Sequence, residues 1–124
     1  MSRKKFTAAW RRTRLEKSKI ETYLGFCIRA RKIIFGAEMI EKQRKGVYLL
    51  VVDGNIGKNS LKSVVRAQVR LQCPLYTTAE GALGEWVHRP TVKAAAITDK
   101  NLASAMCKGA ESEPKFKLYS GGNE

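Results

Sequence analysis

The chain has 124 residues, 44% of them apolar, enough for one domain with a real core and too many for a disordered tail. Its 24 basic residues stand against 11 acidic ones, and a net charge of +13 favours a polyanionic partner, nucleic acid first. No apolar run approaches the roughly 20 residues that span a bilayer, and no apolar segment at the N-terminus suits secretion.

Residues 1–15 read as a basic N-terminal arm. Met1 to Lys19 carries eight Lys or Arg and one acid, Glu16. Phe6 and Trp10 interleave with these charges, so rings can stack on unpaired bases while the cations meet phosphates. A solvated leader reads the same way, and so does a mitochondrial transit peptide, although Ser is scarce here.

A domain is expected over residues 16–110. Its first helix, 16–30, has Ile20, Leu24, Cys27 and Ile28 at helical spacing, with Gly25 allowing a close neighbour. Next comes the most informative stretch, Arg29 to Asn55. Gly36 opens a second helix, 37–44, whose first turn presents unpaired N–H groups to a phosphate or a base edge. Arg29, Arg31, Lys32, Lys42, Arg44 and Lys45 are expected around it, and Gly46 ends the helix.

Residues 47–52, VYLLVV, are apolar without alternation, as in a strand buried on both faces of a parallel sheet. A third helix, 60–72, points Leu61, Val64, Val65, Gln68 and Leu71 or Gln72 inward, while Lys58, Lys62, Arg66 and Arg70 repeat along its other side. That row either tracks a phosphate backbone or is a solvated flank. A short strand (74–78), a small helix (79–87) with Leu83 and Trp86, and a strand (92–98) follow. Asp99 is placed to cap a last helix, 100–108, with Leu102, Ala105 and Met106 inside. Residues 111–124, rich in Glu, Ser, Pro and Gly, read as a flexible tail. Strands alternating with helices give an α/β fold with helices on both faces of a mainly parallel sheet.

Cys27, Cys73 and Cys107 are odd in number and far apart, with one histidine, His88, in the chain. They form no metal-ligand pattern and are read as packing residues of a reduced, cytoplasmic protein, leaving a Cys–His nucleophile as the minor reading. GNIGKNS lacks phosphate-loop spacing, and Ser60, His88 and Asp99 have no reason to converge. No enzyme chemistry, cofactor or metal is therefore expected. Asp53, with Thr77 and Lys100 after later strands, superficially looks like a phospho-accepting receiver, but no acidic cluster precedes Asp53 to hold Mg²⁺.

The segment LGFCIRARKIIFGAEMI, the basic helix ending in glycine, the strand with Asp53, the long helix and AAAITD together closely resemble the bacterial YlxQ-type proteins. Those belong to the superfamily of kink-turn-binding ribosomal proteins that includes the large-subunit proteins seven-Ae and thirty-e. The resemblance spans residues 16–110. It implies a three-layer α/β/α sandwich around a small mixed sheet of about four strands, with Lys32 to Phe35 as an extra short strand. It also implies a non-enzymatic, ribosome-associated, monomeric RNA-binding protein that recognises structured, kink-turn-like RNA, with ribosomal proteins as further partners.

In that family RNA is held by a G-x-N-E-x-x-K pattern opening the second helix and by a hydrophobic loop before the last strand. Gly36 and Glu38 match the glycine and glutamate with one residue between them instead of two. Ala37 stands at the asparagine, and Glu41 at the lysine, next to Lys42. The second loop corresponds to Val87, His88, Arg89, Pro90 and Thr91, where Val87 and Pro90 pack on a splayed base and Arg89 meets phosphate. Glu38 would accept from a guanine edge or simply favour the helix dipole. Lys58 and Lys62 are the outer phosphate contacts. The other reading of the same fold is a ribosome-assembly or protein-interaction scaffold without kink-turn specificity.

Overall fold

The computed structural model describes residues 18–120, so the basic arm expected over 1–15 lies outside the described residues. Helix α1 (Lys19–Ala30) starts where the Ser18 side chain accepts from the N–H groups of Ile20 and Glu21, and it buries Ile20, Leu24 and Cys27. Strand β1 (Ile33–Phe35) leads through Gly36 into α2 (Ala37–Glu41). Strand β2 (Leu49–Val52), helix α3 (Lys58–Leu71), strand β3 (Leu75–Thr78) and the short α4 (Ala82–Val87) follow. Then come β4 (Ala94–Ile97), α5 (Lys100–Gly109), a 3₁₀ turn (Ala110–Ser112) and β5 (Phe116–Ser120).

The five strands form one sheet in the order β1-β4-β2-β3-β5. It is mixed, as the resemblance implied, but only β2 and β3 run parallel, and the other three pairs are antiparallel. The expectation of a mainly parallel sheet failed because an unbroken apolar strand reports burial on both faces and not the direction of its neighbours. Leu49 and Val51 face a cluster shared with α1, α4 and α5, whereas Leu50 and Val52 face one shared with α2 and α3. This alternation makes the α/β/α sandwich.

Several elements start two or three residues later than expected, and three differences have a tertiary cause. Helix α2 stops at Glu41 instead of 44, because Arg70 of α3 donates to the carbonyl oxygens of Glu41 and Gln43 at 2.7 and 2.8 Å and holds the chain in a loop. Helix α3 ends with Gln72 left-handed and exposed, so Leu71 alone of that pair turns toward the core. The segment expected as a flexible tail supplies β5. There the buried Phe116 stacks on Tyr76 with ring centroids 4.6 Å apart, and its backbone pairs with β3. Composition hid a strand whose anchor is an aromatic pair made across the sheet.

Asp99 caps α5 by accepting from the Leu102 N–H at 2.9 Å, as expected. All three cysteines are free thiols, and burial pushes Cys27 and Cys73 up to about 11, which keeps both protonated at neutral pH. Among the described residues no helix is long and apolar enough to cross a membrane.

Candidate nucleic-acid interface

The pairing registers bring four chain segments to one end of the sheet, its upper edge. Phe35 ends β1 opposite Ala95, Val52 ends β2 opposite Ala94, and Thr78 ends β3. Gly36, Asp53, Ala79 and Lys93 therefore meet there.

Gly36 turns the chain from β1 into α2 with φ +95° and ψ 137°, a conformation costly for any side chain, while its N–H donates to Ala94 O at 2.9 Å. Nothing lies within 4 Å of where a Cβ would be, so the approach to this turn is open. Ala37 and Glu38 form the first turn of α2. Glu38 is exposed, and no side chain among the described residues pairs with it, so its carboxylate is free to accept from a ligand. Ile56 and Ser60, at the start of α3, face Gly36 and Ala37 across a groove of about 360 Å³, which Thr91, Val92 and Lys93 close on its third side. Helix α3 has no side-chain cap and no acid in its first turn, and Lys58 and Lys62 stand exposed there one turn apart. Two helix N-termini thus flank one groove, with positive charge beside them.

The wall formed by residues 88–93 is held rigidly. Gly84 of α4 lies under it, where an added Cβ would sit 3.0 Å from the carbonyl oxygens of both Arg89 and Pro90, so only glycine permits the approach. His88 closes α4 in the left-handed conformation, Arg89 N–H donates to Gly84 O, and Val92 N–H donates to Arg89 O. The Arg89 guanidinium then lies over the Phe35 ring, 4.7 Å from its centroid, joining this wall to the strand before Gly36. On the other side of that stack a second groove, between α1 and α4, is lined by Arg29, His88 and Arg89. His88 Nε2 lies 3.8 Å from Glu21 there, and Arg29 rests over Phe26, 5.0 Å from the ring centroid.

Asp53 fastens the edge from within. It is fully buried and accepts four hydrogen bonds, from the N–H groups of Asn55 and Gly81 at 2.9 Å, from Leu83 N–H at 3.1 Å and from the Thr78 hydroxyl at 3.1 Å. Lys93 Nζ lies 3.9 Å away. Burial by itself would raise this carboxyl, but the donated bonds outweigh it and hold Asp53 below the usual carboxylate range. Asp53 is thus a structural acceptor that caps α4 from across the sheet, with its oxygens already occupied, and not a phospho-acceptor facing solvent.

Of the residues expected to hold RNA, the upper edge gathers Gly36, Ala37, Glu38, Lys58, Arg89 and Pro90, with Lys62 behind Lys58 and with Arg29 and His88 in the adjoining groove. Val87 does not belong to it. Val87 is 2% exposed and packs in the core, because the left-handed turn at His88 leaves it on the inner face of α4, so the apolar surface of the loop is Pro90 and Val92. Arg31 and Lys32 sit before β1, with Lys32 about 13 Å along the strand from Gly36 at roughly 3.3 Å per residue, and Lys32 O accepts from Thr98 N–H at the lower edge. Lys42, Arg44 and Lys45 follow the far end of α2. The extended strand β1 carries Arg31 and Lys32 away from Gly36, to the opposite end of the sheet.

The basic row of α3 divides too. Arg66 donates to Glu41 Oε2 at 3.0 Å, holding that carboxyl below its usual range, and Arg70 is bound to backbone carbonyls. Glu41 is thereby neutralised by α3. Sequence reasoning missed the Phe35–Arg89 stack and Lys93; β1 is apolar and half-buried along its whole length, so nothing in its pattern set Phe35 apart.

No protein-family model matches the chain, and no curated protein matches it. Among solved structures it is similar to a protein with unknown function from Bacillus halodurans C, at 18% identity and a TM-score of 0.66, over 75% of this chain and 97% of that one. That likeness establishes the fold alone.

Proposed function

We propose that the protein is a non-enzymatic, cytoplasmic RNA-binding protein that takes a bent or partly unpaired RNA, of the kink-turn kind, on its upper edge. One observation carries this reading. The open turn at Gly36, the uncapped start of α3 with Lys58, and the rigid loop 88–93 surround a single groove. Backbone N–H groups and lysine suit phosphate, Glu38 suits a base amino group, and Phe35 with Arg89 offers a flat cationic surface to a splayed base. A duplex hides its base edges in a deep groove, so a small α/β domain gains more from a bend or bulge. Ribosomal RNA and ribosomal proteins are the proposed company, and the protein acts as a monomer.

The same fold could serve as an assembly scaffold, a reading favoured by exposed Leu118 and Tyr119 on the edge strand β5. The two are separated by titrating the protein against a kink-turn RNA and an unkinked duplex of equal length at about 0.15 M salt, where surface charge is partly screened. Preference for the kinked RNA, lost in Arg89→Ala, is expected. Equal affinity for the two RNAs, or none, would overturn shape recognition and leave the scaffold.

A further inference from the structure

The lower edge of the sheet carries the cations that the upper edge lacks, and they are arranged around an aromatic ring. Residues 43–46 form a loop pinned to α3. Arg70 makes three hydrogen bonds to the carbonyl oxygens of Glu41 and Gln43, at 2.7 to 3.1 Å, and Gln43 Nε2 donates back to Met39 O. With its backbone held in this way, the loop projects Arg44 and Lys45 into solvent. They line a depression of about 370 Å³ together with Tyr48, Gln72 and Pro74, and no acidic residue lines it. The carboxylate of nearby Glu41 is occupied by Arg66.

Tyr48 starts the run into β2, donates its N–H to Ile97 O, and keeps its side chain 42% exposed. Lys32 immediately precedes β1, two strands away, about 10 Å at the usual strand spacing, and Arg31 comes before it. None of Arg31, Lys32, Arg44 and Lys45 is in an ion pair among the described residues. A solvated flank needs neither a clamped loop nor a half-exposed tyrosine at the centre of the charge.

We infer that this lower edge is a second RNA contact, which takes an unpaired nucleotide by stacking its base on Tyr48 while Arg44 and Lys45 hold the flanking phosphates. The inference rests on the reading that the ligand is RNA. A ring accepts any base face, and lysine and arginine beside it meet the backbone, so this contact is indifferent to sequence. The two edges lie at opposite ends of the strands and would grip a folded element and its single-stranded continuation together.

The test measures binding of the full chain to a short oligouridine strand and, separately, to a kink-turn RNA. Tyr48→Ala is expected to weaken oligouridine binding about tenfold, Tyr48→Phe to retain it, and both to bind the kinked RNA as the wild type does. Arg44→Ala with Lys45→Ala should flatten the salt dependence of oligouridine binding by about 1.4 in log–log slope, roughly 0.7 for each lost contact. Thermal melting of each variant confirms that it folds. Oligouridine affinity unchanged in Tyr48→Ala, or no oligouridine binding by the wild type, overturns the inference, and the second result turns this patch toward an acidic protein. Oligouridine binding that depends on Tyr48, with no preference for the kinked RNA, would instead overturn the upper-edge reading and leave this one standing.

Discussion

Replacing Asp53 with Asn tests whether one buried carboxylate organises the upper edge. Oδ2 accepts from Asn55 and Gly81, and Oδ1 from Leu83 and the Thr78 hydroxyl. An amide has only one accepting atom. If its nitrogen replaces Oδ2 it faces two N–H donors, each left unpaired at about 1–3 kcal/mol. If it replaces Oδ1 it faces Leu83 N–H and a hydroxyl that can rotate and accept, so one donor is orphaned. The second orientation is cheaper. With the charge-assisted strength of the remaining bonds also lost, the substitution should cost about 2–4 kcal/mol, a large share of the 5–15 kcal/mol typical of a domain. Urea unfolding at pH 7 measures it.

The pH dependence supplies a second readout. The folded carboxyl lies below its unfolded value of about 3.9, so its contribution is complete above that value and is lost as pH falls through the lower folded one. The gap between wild type and Asp53→Asn should be constant above about pH 5 and narrow below about pH 4. Glu41 is also held low but is common to both proteins, so it cancels in the difference. A gap under about 1 kcal/mol at pH 7, below the penalty of even one orphaned donor, or a gap unchanged down to pH 3, would refute the reasoning.

Gly36→Ala should destabilise by about 1–2 kcal/mol, since alanine must hold a positive φ, and should weaken binding to kinked RNA because the new methyl group enters the open groove, as calorimetry and titration would show. Gly84→Ala places a Cβ 3.0 Å from two carbonyl oxygens and should shift the loop 88–92, lowering kinked-RNA affinity while Arg89 is still present. Lys58→Ala should reduce the salt slope for the kinked RNA by about 0.7–0.9, and an unchanged slope would remove Lys58 from the interface. Lys32→Ala should leave the preference for kinked over straight RNA intact, because Lys32 lies at the other edge.

Much of the fold was legible in the chain because it rests on local rules. VYLLVV marked a strand buried on both faces, of which Leu49–Val52 forms β2, Asp99 marked a helix cap, and Gly36 the start of a helix; each is set by a few neighbouring residues. Strand direction, the fifth strand and the end of α2 were not legible. They depend on partners far away in sequence, namely Tyr76 for Phe116 and Arg70 for the carbonyls of Glu41 and Gln43.

The candidate site divides in the same way. Charge and the glycine turn pointed to a polyanion at Gly36, and the resemblance added loop 87–91. Only the tertiary structure separated Arg31 and Lys32 from Gly36, turned Val87 into the core, bound Glu41 to Arg66 and laid Arg89 over Phe35. The physical reason is that an extended strand carries its two ends apart while pairing brings distant ends together, so nearness along the chain is a poor guide to nearness at a sheet edge. Composition determined the kind of partner to look for, and the pairing of strands decided which cations can meet it together.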